Sequence, residues 1–118
     1  MRTKRVLAGT GIATALLLSV ALPASAQTID DVPGVKGVFD IGEKHITVYD
    51  TLCDDDSVYA QWKTIPGEVQ RIRNNNGCGS SDGGYVPMGD GEIVYWRVCV
   101  DRSLPTRDKC SSWLAAYL

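Results

Sequence analysis

Four cysteines carry the chemistry that this sequence specifies most clearly: Cys53, Cys78, Cys99 and Cys110. An even number of cysteines in a short secreted chain is typical of a disulfide framework, and four cysteines allow three pairings. We favour the two local rings, Cys53 with Cys78 and Cys99 with Cys110, because each cysteine then lies at the end of a predicted strand. The sequence therefore predicts two disulfides.

A structural metal site is the competing interpretation of these cysteines. The chain has no Cys-x-x-Cys pair, and its single histidine, His45, has no histidine partner at helical spacing, so the ligand set of a structural zinc is missing. The acidic run Asp54–Asp56 offers the oxygen ligands that calcium prefers, but it lacks the spaced loop with a distal Glu, and a solvated turn is favoured. The sequence predicts no metal and no cofactor.

Two further sets of titratable residues could be taken for catalytic sites. A small ribonuclease needs a general acid, a general base and a phosphate clamp, and residues of each type are present without a motif that joins them: His45, Glu68, Arg71 and Arg73. Asp90 and Glu92 fall on one strand face, whereas glycosidase carboxylates face each other across a cleft. We predict no catalytic residue, with a small secreted hydrolase or ribonuclease as an alternative.

The segment between Cys99 and Cys110 resembles a protease-inhibitor loop. Four of its residues are similar to the Lys-Ser-Ile-Pro core of Bowman-Birk inhibitors: Arg102, Ser103, Leu104 and Pro105. A loop pinned at both ends loses little conformational entropy on binding. The resemblance implies that Arg102 enters the primary pocket of a trypsin-like protease and that Ser103 follows the scissile bond. Cys99 stands one position further from Arg102 than in that family, within a wider ring.

The aromatic residues allow a buried and an exposed interpretation. We predict that Trp62, Trp96 and Trp113 form the core, and the alternative is an aromatic surface on which sugar rings stack. The segment Tyr95-Trp96-Arg97 also resembles, in changed order, the Trp-Arg-Tyr contact triplet of the four-cysteine α-amylase inhibitors of actinobacteria, which are secreted β-sandwiches of similar size. Here the triplet lies in the middle of a strand.

Residues 1–26 have the three parts of a secretory signal peptide. Positive charges at Arg2, Lys4 and Arg5 precede an apolar run to about Leu22, and small residues at positions 24–26 supply a cleavage site. The run is interrupted by glycines and ended by Pro23, which leaves it short of the ~20 residues that span a bilayer. We expect cleavage after Ala26 and secretion of residues 27–118 as one domain, with no membrane attachment.

Removal of that segment changes the charge balance. The full chain has 12 basic and 14 acidic residues, and loss of Arg2, Lys4 and Arg5 leaves nine basic against 14 acidic, a net charge of −5. Nucleic acids and anionic membranes are bound chiefly through Lys and Arg, so this balance argues against both as partners. The expected partner is an unknown extracellular protein or cell-wall component.

The clearest strand runs from about Glu92 to Asp101, because two sets of residues alternate along it: Val94, Trp96, Val98 and Val100 on one side, and Ile93, Tyr95, Arg97, Cys99 and Asp101 on the other. A second strand is predicted over residues 45–52, with a bulge near Asp50, and a hairpin turn at residues 54–57 leads into a returning strand over residues 58–63. The remaining expectations are a loose terminus at 27–31, an edge strand at 35–39, a strand at 68–73, an irregular loop at 74–84 and a final strand at 113–118.

No stretch after the signal segment has helical periodicity, so the predicted fold is all-β: a small antiparallel β-sandwich or open Greek-key barrel. A chain of 92 residues buries only about 60 to 65% of its unfolded surface, and each disulfide adds about 3 kcal/mol in the chain-entropy model. The two disulfides are therefore expected to supply a large share of the stability.

The chain as a whole resembles the small secreted four-cysteine proteins of actinobacteria. In these proteins a strand ending Arg-Val-Cys precedes a polar loop and the sequence Asp-Lys-Cys-Ser-Ser-Trp, which here are residues 97–99 and 108–113. The likeness spans about Val48 to Trp113, and it implies export and fold but no catalytic residue. We expect a secreted, monomeric, non-catalytic binding module that acts through its loops. A protease inhibitor that uses the Cys99 to Cys110 loop is the alternative.

Overall fold

The computed structural model describes residues 26–103 and 105–118, which form a sandwich of two antiparallel sheets. The first sheet has the order β1-β2-β3-β6, and the second has the order β5-β4-β7-β8, with β9 also paired to β7. The strands are β1 Ala26–Val32, β2 Val35–Asp40, β3 His45–Asp50, β4 Ser57–Lys63, β5 Gln70–Asn74, β6 Ser81–Tyr85, β7 Ile93–Asp101, β8 Lys109–Cys110 and β9 Leu114–Tyr117. The predicted all-β sandwich is confirmed. The predicted signal segment lies, apart from Ala26, outside the described residues.

Strand β7 is the longest strand, and its alternation was predicted correctly. It pairs with β4 on one side and with β8 and then β9 on the other. Its inward residues Val94, Trp96, Val98 and Val100 are buried in the core between the sheets. Phe39 of the first sheet meets the Trp96 ring edge to face, with the ring centroids 5.6 Å apart. This aromatic contact joins the two sheets at the centre of the core.

Both predicted disulfides are confirmed, and the described residues hold no free cysteine. Cys99 and Cys110 lie directly opposite each other in β7 and β8, so their bridge staples two neighbouring strands. Cys53 and Cys78 join the connection after β3 to the connection before β6. Each bridge therefore fixes a segment that has little regular structure of its own.

The predicted hairpin at residues 54–57 is wrong. Strand β3 pairs with β2 and β6 in the first sheet, whereas β4 pairs with β5 and β7 in the second, so residues 51–56 cross from one sheet to the other. The predicted bulge near Asp50 is also absent. Asp50 is 3% exposed, and its Oδ1 accepts the backbone N–H of Leu52 at 3.3 Å, while Leu52 itself is half exposed. The buried carboxylate caps the strand end, and this hydrogen bond replaces the expected apolar contact.

The predicted loose terminus at residues 27–31 is a strand. Ile29 and Val32 of β1 are buried, and β1 pairs along β2 with an irregularity between those two residues. Gln27 fixes the strand start, because its Oε1 accepts the indole N–H of Trp96 at 2.8 Å and its Nε2 donates to the Ala115 carbonyl at 3.0 Å. The predicted edge strand β2 is consequently an interior strand of its sheet.

The predicted irregular loop at residues 74–84 is only partly irregular. Its last residues belong to β6, which pairs with β3 through backbone hydrogen bonds although its sequence is Ser-Asp-Gly-Gly-Tyr. Asn74 is fully buried at the start of this segment. Its Nδ2 donates to the carbonyls of Val48 and Ser80, and its Oδ1 accepts from Asn76 and Ser80. These four hydrogen bonds hold the Cys78 connection against β3.

Candidate binding face

The titratable residues singled out in the sequence do not form one site. His45 lies on the outer face of the first sheet, whereas Arg71 and Arg73 lie on the outer face of the second, over the Tyr59 ring. Asp90 binds Lys44 at 2.8 Å, and this hydrogen-bonded ion pair lowers the pKa of the Asp90 carboxyl. Within the described residues, no group of three or more His, Cys, Asp or Glu side chains could hold a metal ion.

The charged residues are distributed unevenly between the two sheets. Seven of the nine basic residues after position 26 lie in the second sheet or in the loop after β7: Lys63, Arg71, Arg73, Arg97, Arg102, Arg107 and Lys109. The same elements contain two carboxylates, Asp101 and Asp108, which leaves them a net charge of +5. The rest of residues 27–118 carries the other twelve carboxylates and two lysines. The basic residues after position 26 are therefore concentrated in the second sheet and the loop after β7, while carboxylates lie in the connections that lead into β4, β5 and β7, among them Asp54, Asp55, Asp56, Glu68 and Glu92.

Three of these cations form a group on the outer surface of β5, β4 and β7, which we call the basic face. Arg71 and Arg97 lie opposite Gln61 in one row across the three strands, so their backbones are about 10 Å apart. Lys63 lies two residues further along β4, on the same side. Among the described residues, none of the three has an ion-pair partner. The basic face thus brings together three positive charges that form no direct ion pair among the described residues, although Asp108 attracts Arg71 through space.

Trp113 lies within this group, and its predicted place in the core is wrong. Trp62 and Trp96 are buried, whereas Trp113 is half-buried on the outer side of the second sheet. The Nζ of Lys63 is 4.3 Å and the guanidinium carbon of Arg97 is 4.4 Å from its ring centroid. Cation–π contacts of this kind partly offset the repulsion between the two cations. They also place two cations over the indole ring, which reduces the aromatic surface that Trp113 offers to a sugar.

A second aromatic residue supports the other end of the basic face. The guanidinium of Arg71 is 4.1 Å from the ring centroid of Tyr59, which is 2% exposed, and Arg73 lies over the same ring at 5.5 Å. Arg73 also binds Asp101 at 2.9 Å. Arg97 donates from Nε to Oε1 of Gln61 at 2.8 Å. The cations are therefore held in fixed orientations by the sheet that carries them.

The loop after β7 is attached directly to the basic face. The hydroxyl of Tyr59 donates to Oδ2 of Asp108 at 2.6 Å, and the backbone N–H of Arg102 donates to the other carboxylate oxygen at 3.0 Å. Burial and the Asp108 carboxylate raise the pKa of Tyr59 to about 12, while the hydrogen bond from Tyr59 lowers the pKa of Asp108. Asp108 therefore attaches the base of the loop to the buried hydroxyl of Tyr59.

The described residues of the predicted inhibitory loop are exposed. Arg102, Ser103 and Pro105 project from the domain, and Leu104 lies outside the described residues. The backbone N–H of Thr106 donates to the Ser103 carbonyl at 3.0 Å, which closes a turn immediately after Arg102. The loop thus presents Arg102 beside the basic face at the start of a tight turn.

The Tyr95-Trp96-Arg97 triplet is divided between the two sides of β7. Trp96 is fully buried, whereas Tyr95 and Arg97 point outward and are half-buried. The three side chains do not make one contact surface. Of the triplet, Arg97 belongs to the basic face.

The fold defines a small β-sandwich with two disulfides and a basic face on its second sheet. Comparison of the chain with protein-family models, with curated proteins and with solved structures finds no match. The described residues contain no helix that is long and apolar enough to cross a membrane. The candidate site therefore has to be interpreted from its own geometry and charge.

The basic face was missed in the sequence because its members are distant along the chain. Arg71, Arg97 and Lys63 meet only after β5, β4 and β7 are placed side by side. The relevant signal was the alternation in β4 and β7, which put Gln61 and Arg97 on outward positions. That alternation shows which side of a strand each residue faces, but it does not show which strand lies beside it.

Proposed function

We propose that residues 27–118 form a secreted, non-catalytic binding module that binds an acidic extracellular protein through the basic face. The observation that carries this proposal is the placement of Lys63, Arg71 and Arg97 together on one sheet without ion-pair partners among the described residues. Like charges at this spacing repel one another, so bringing the three cations together opposes the stability that their aromatic and Gln61 contacts supply. A complementary acidic surface would relieve the repulsion and accelerate association.

The amino-acid composition of the basic face favours a protein as the ligand over a polymer of another kind. Arg and Trp are among the residues that dominate binding energy in protein interfaces, and Arg71, Arg97 and Trp113 are concentrated here, with Arg71 supported by the buried Tyr59. The cations of the basic face are already oriented by aromatic rings and by Gln61. Binding to such a preorganised surface costs little side-chain entropy. Export is supported by the two disulfides, which persist in oxidising compartments.

The proposal is tested by cross-linking and affinity capture with purified residues 27–118 and proteins from the producer's culture medium. Mass spectrometry of the exported protein also checks that the chain begins at Gln27. The R71Q/R97Q variant removes two charges from the basic face, and K36Q/K44Q removes two from β2 and the turn that follows it. We expect R71Q/R97Q to lose capture of an acidic protein, which K36Q/K44Q retains, and cross-links to join Lys63 to that protein.

Two outcomes would contradict this function. If R71Q/R97Q captures the same proteins as the unchanged chain, the basic face is not the contact surface. If the face instead binds duplex DNA or anionic vesicles as tightly as any exported protein, its ligand is not an acidic protein. Circular dichroism of both variants shows whether a lost interaction reflects lost structure.

A second candidate function is inhibition of trypsin-like proteases by the loop after β7. It is favoured by the exposed Arg102 side chain and by the two hydrogen bonds that hold Asp108 at the loop base. An R102A variant should then abolish inhibition, whereas R107A on the same loop should retain it. Absence of inhibition at micromolar protein would remove this candidate.

A further inference from the structure

The outer face of the first sheet carries a shallow depression that is separate from the basic face. It has a volume of about 360 Å³ and is lined by Val38, Asp40, Glu43, His45, Thr47 and Tyr85. Strand register explains its shape, because Val38 and Thr47 lie in one row with Gly83, which has no side chain. The missing side chain leaves room for the His45 ring to lie over β6.

Two aromatic rings form one wall of this depression. The His45 ring leans over Gly83, where an added Cβ would collide with its Cε1 atom. Nδ1 of His45 is within 3.3 Å of the Thr47 hydroxyl, and the ring meets Tyr85 edge to face with centroids 4.7 Å apart. Tyr85 is nevertheless 71% exposed. The sheet therefore holds His45 in place and leaves most of Tyr85 open to solvent.

The other wall is acidic. Oδ1 of Asp40 accepts the backbone N–H of Glu43 at 3.0 Å, which places the two carboxylates at the same turn. Within the part of the chain that the structure describes, neither carboxylate has an ion-pair partner, and the nearby Lys44 binds Asp90 instead. The lining contains no Lys or Arg. The depression thus combines uncompensated negative charge with an exposed aromatic ring.

We propose that this depression binds a primary ammonium group on a short carbon body. Carboxylates bind an ammonium through charge-assisted hydrogen bonds, and the face of an exposed tyrosine attracts the same cation. An anion would be repelled by Asp40 and Glu43. The described residues provide no set of three metal-binding side chains, so a divalent cation fits less well. Two sources share the required chemistry: a lysine-type side chain and a 2-amino sugar.

The test is an NMR titration of isotope-labelled residues 27–118 with defined amines. The probes are Nα-acetyl-lysine methylamide and methyl glucosaminide, each paired with its N-acetylated counterpart, at up to about 20 mM because small ligands with few contacts bind weakly. We expect saturable shifts at His45, Thr47 and Tyr85 with at least one amine and none with the acetylated forms. D40N should weaken binding about tenfold, whereas D82N, which removes equal charge from β6, should not.

The outcomes distinguish a glycan ligand from a peptide ligand, and they also test whether the depression is a binding site. Binding of the amino sugar alone assigns a glycan ligand, and binding of the lysine derivative alone assigns a peptide ligand. Equal shifts with acetylated probes, full affinity in D40N, or no shift with either amine would overturn the proposal. The R71Q/R97Q variant should bind the amine normally, so failure of the basic-face proposal does not affect this result.

Discussion

The phenol of Tyr59 and the carboxylate of Asp108 are joined by a hydrogen bond of 2.6 Å, although the two residues are 49 positions apart. Tyr59 belongs to β4 and is 2% exposed, while Asp108 lies in the loop that follows β7. The contact makes the loop an extension of the basic face. It also gives both groups titration behaviour that can be measured.

Tyr59 should titrate above the ordinary range of a tyrosine side chain. Its pKa is raised from 10.0 to about 12, first by burial and then by the Asp108 carboxylate, so the folded state favours the neutral phenol. This preference for the neutral phenol contributes fully to the stability of the folded state below about pH 10. The contribution is lost as the pH rises through about 12. Absorbance titration should show one tyrosine with this late transition. Y59F should lack it, and Y85F should keep it.

The pKa of Asp108 is shifted downward, so its contribution to stability should depend on pH in the opposite direction to that of Tyr59. The hydrogen bond from Tyr59 lowers its pKa, so its contribution to stability is present above the ordinary carboxyl range and is lost as pH falls through the lowered value. Carboxyl NMR titration should place Asp108 below its ordinary pKa in the unchanged protein and nearer to it in Y59F. An unchanged Asp108 titration in Y59F would show that the hydrogen bond is not the cause.

Gly37 should not accept a larger residue. It lies in β2 against the second sheet, and an added Cβ would meet Cγ1 of Val98 and come within 2.8 Å of Cζ3 of Trp96. Gly37→Ala should therefore reduce the free energy of unfolding by about 1 to 3 kcal/mol, the usual cost of overpacking a core. Gly89→Ala is the matched control, since nothing lies within 4 Å of its added Cβ. Urea denaturation of the two variants measures the difference.

Substitution of Asn74 should destabilise the fold more than substitution of most other polar residues. Asn74→Ala removes four hydrogen bonds and leaves the buried carbonyl of Val48 without its side-chain donor. We expect a loss of about 2 to 4 kcal/mol, because unsatisfied buried groups are costly. The neighbouring exposed Asn75→Ala should change stability by less than about 0.5 kcal/mol. Similar thermal midpoints for the two variants would contradict the importance of this network.

The two disulfides should be reduced in a fixed order under native conditions. Cys53 and Cys78 are exposed, whereas Cys99 is fully buried and Cys110 is half-buried. Thiol–disulfide exchange requires access to sulfur, so a mild thiol should open the Cys53–Cys78 bridge first. Timed alkylation followed by peptide mass spectrometry gives the order. In denaturant the preference should disappear, and native reduction of the Cys99–Cys110 bridge first would contradict the burial argument.

Local patterns in the sequence were sufficient to predict the longest strand and the two disulfides, but they did not predict which strands pair. The alternation of β7 predicted its buried face, and local ring size was enough to choose the two disulfides. The acidic run at residues 54–56 has the composition of a hairpin turn, yet β3 and β4 find longer-range partners in different sheets. Turn composition reports local backbone preference, whereas pairing depends on what the whole core buries.

The missed strands and the missed site have related causes. Strand β6 contains Gly83 and Gly84, which pair with β3 through the backbone and give no strand signal in the sequence. Strand β1 depends on the contacts of Gln27 and Ile29 with distant residues. The basic face likewise arises from strand order. Net charge could not reveal it, because carboxylates of the other elements outnumber its cations.

The concentration of cations in the second sheet and its adjoining loop gives the molecule an asymmetric distribution of charge. Seven of the nine cations lie in the second sheet and its adjoining loop, and twelve of the 14 carboxylates lie elsewhere. In the field of a negatively charged surface such a particle rotates before it makes contact. The protein would therefore approach an acidic target with β4, β5 and β7 leading, and its orientation would be set in solution, several ångströms before any side chain touches.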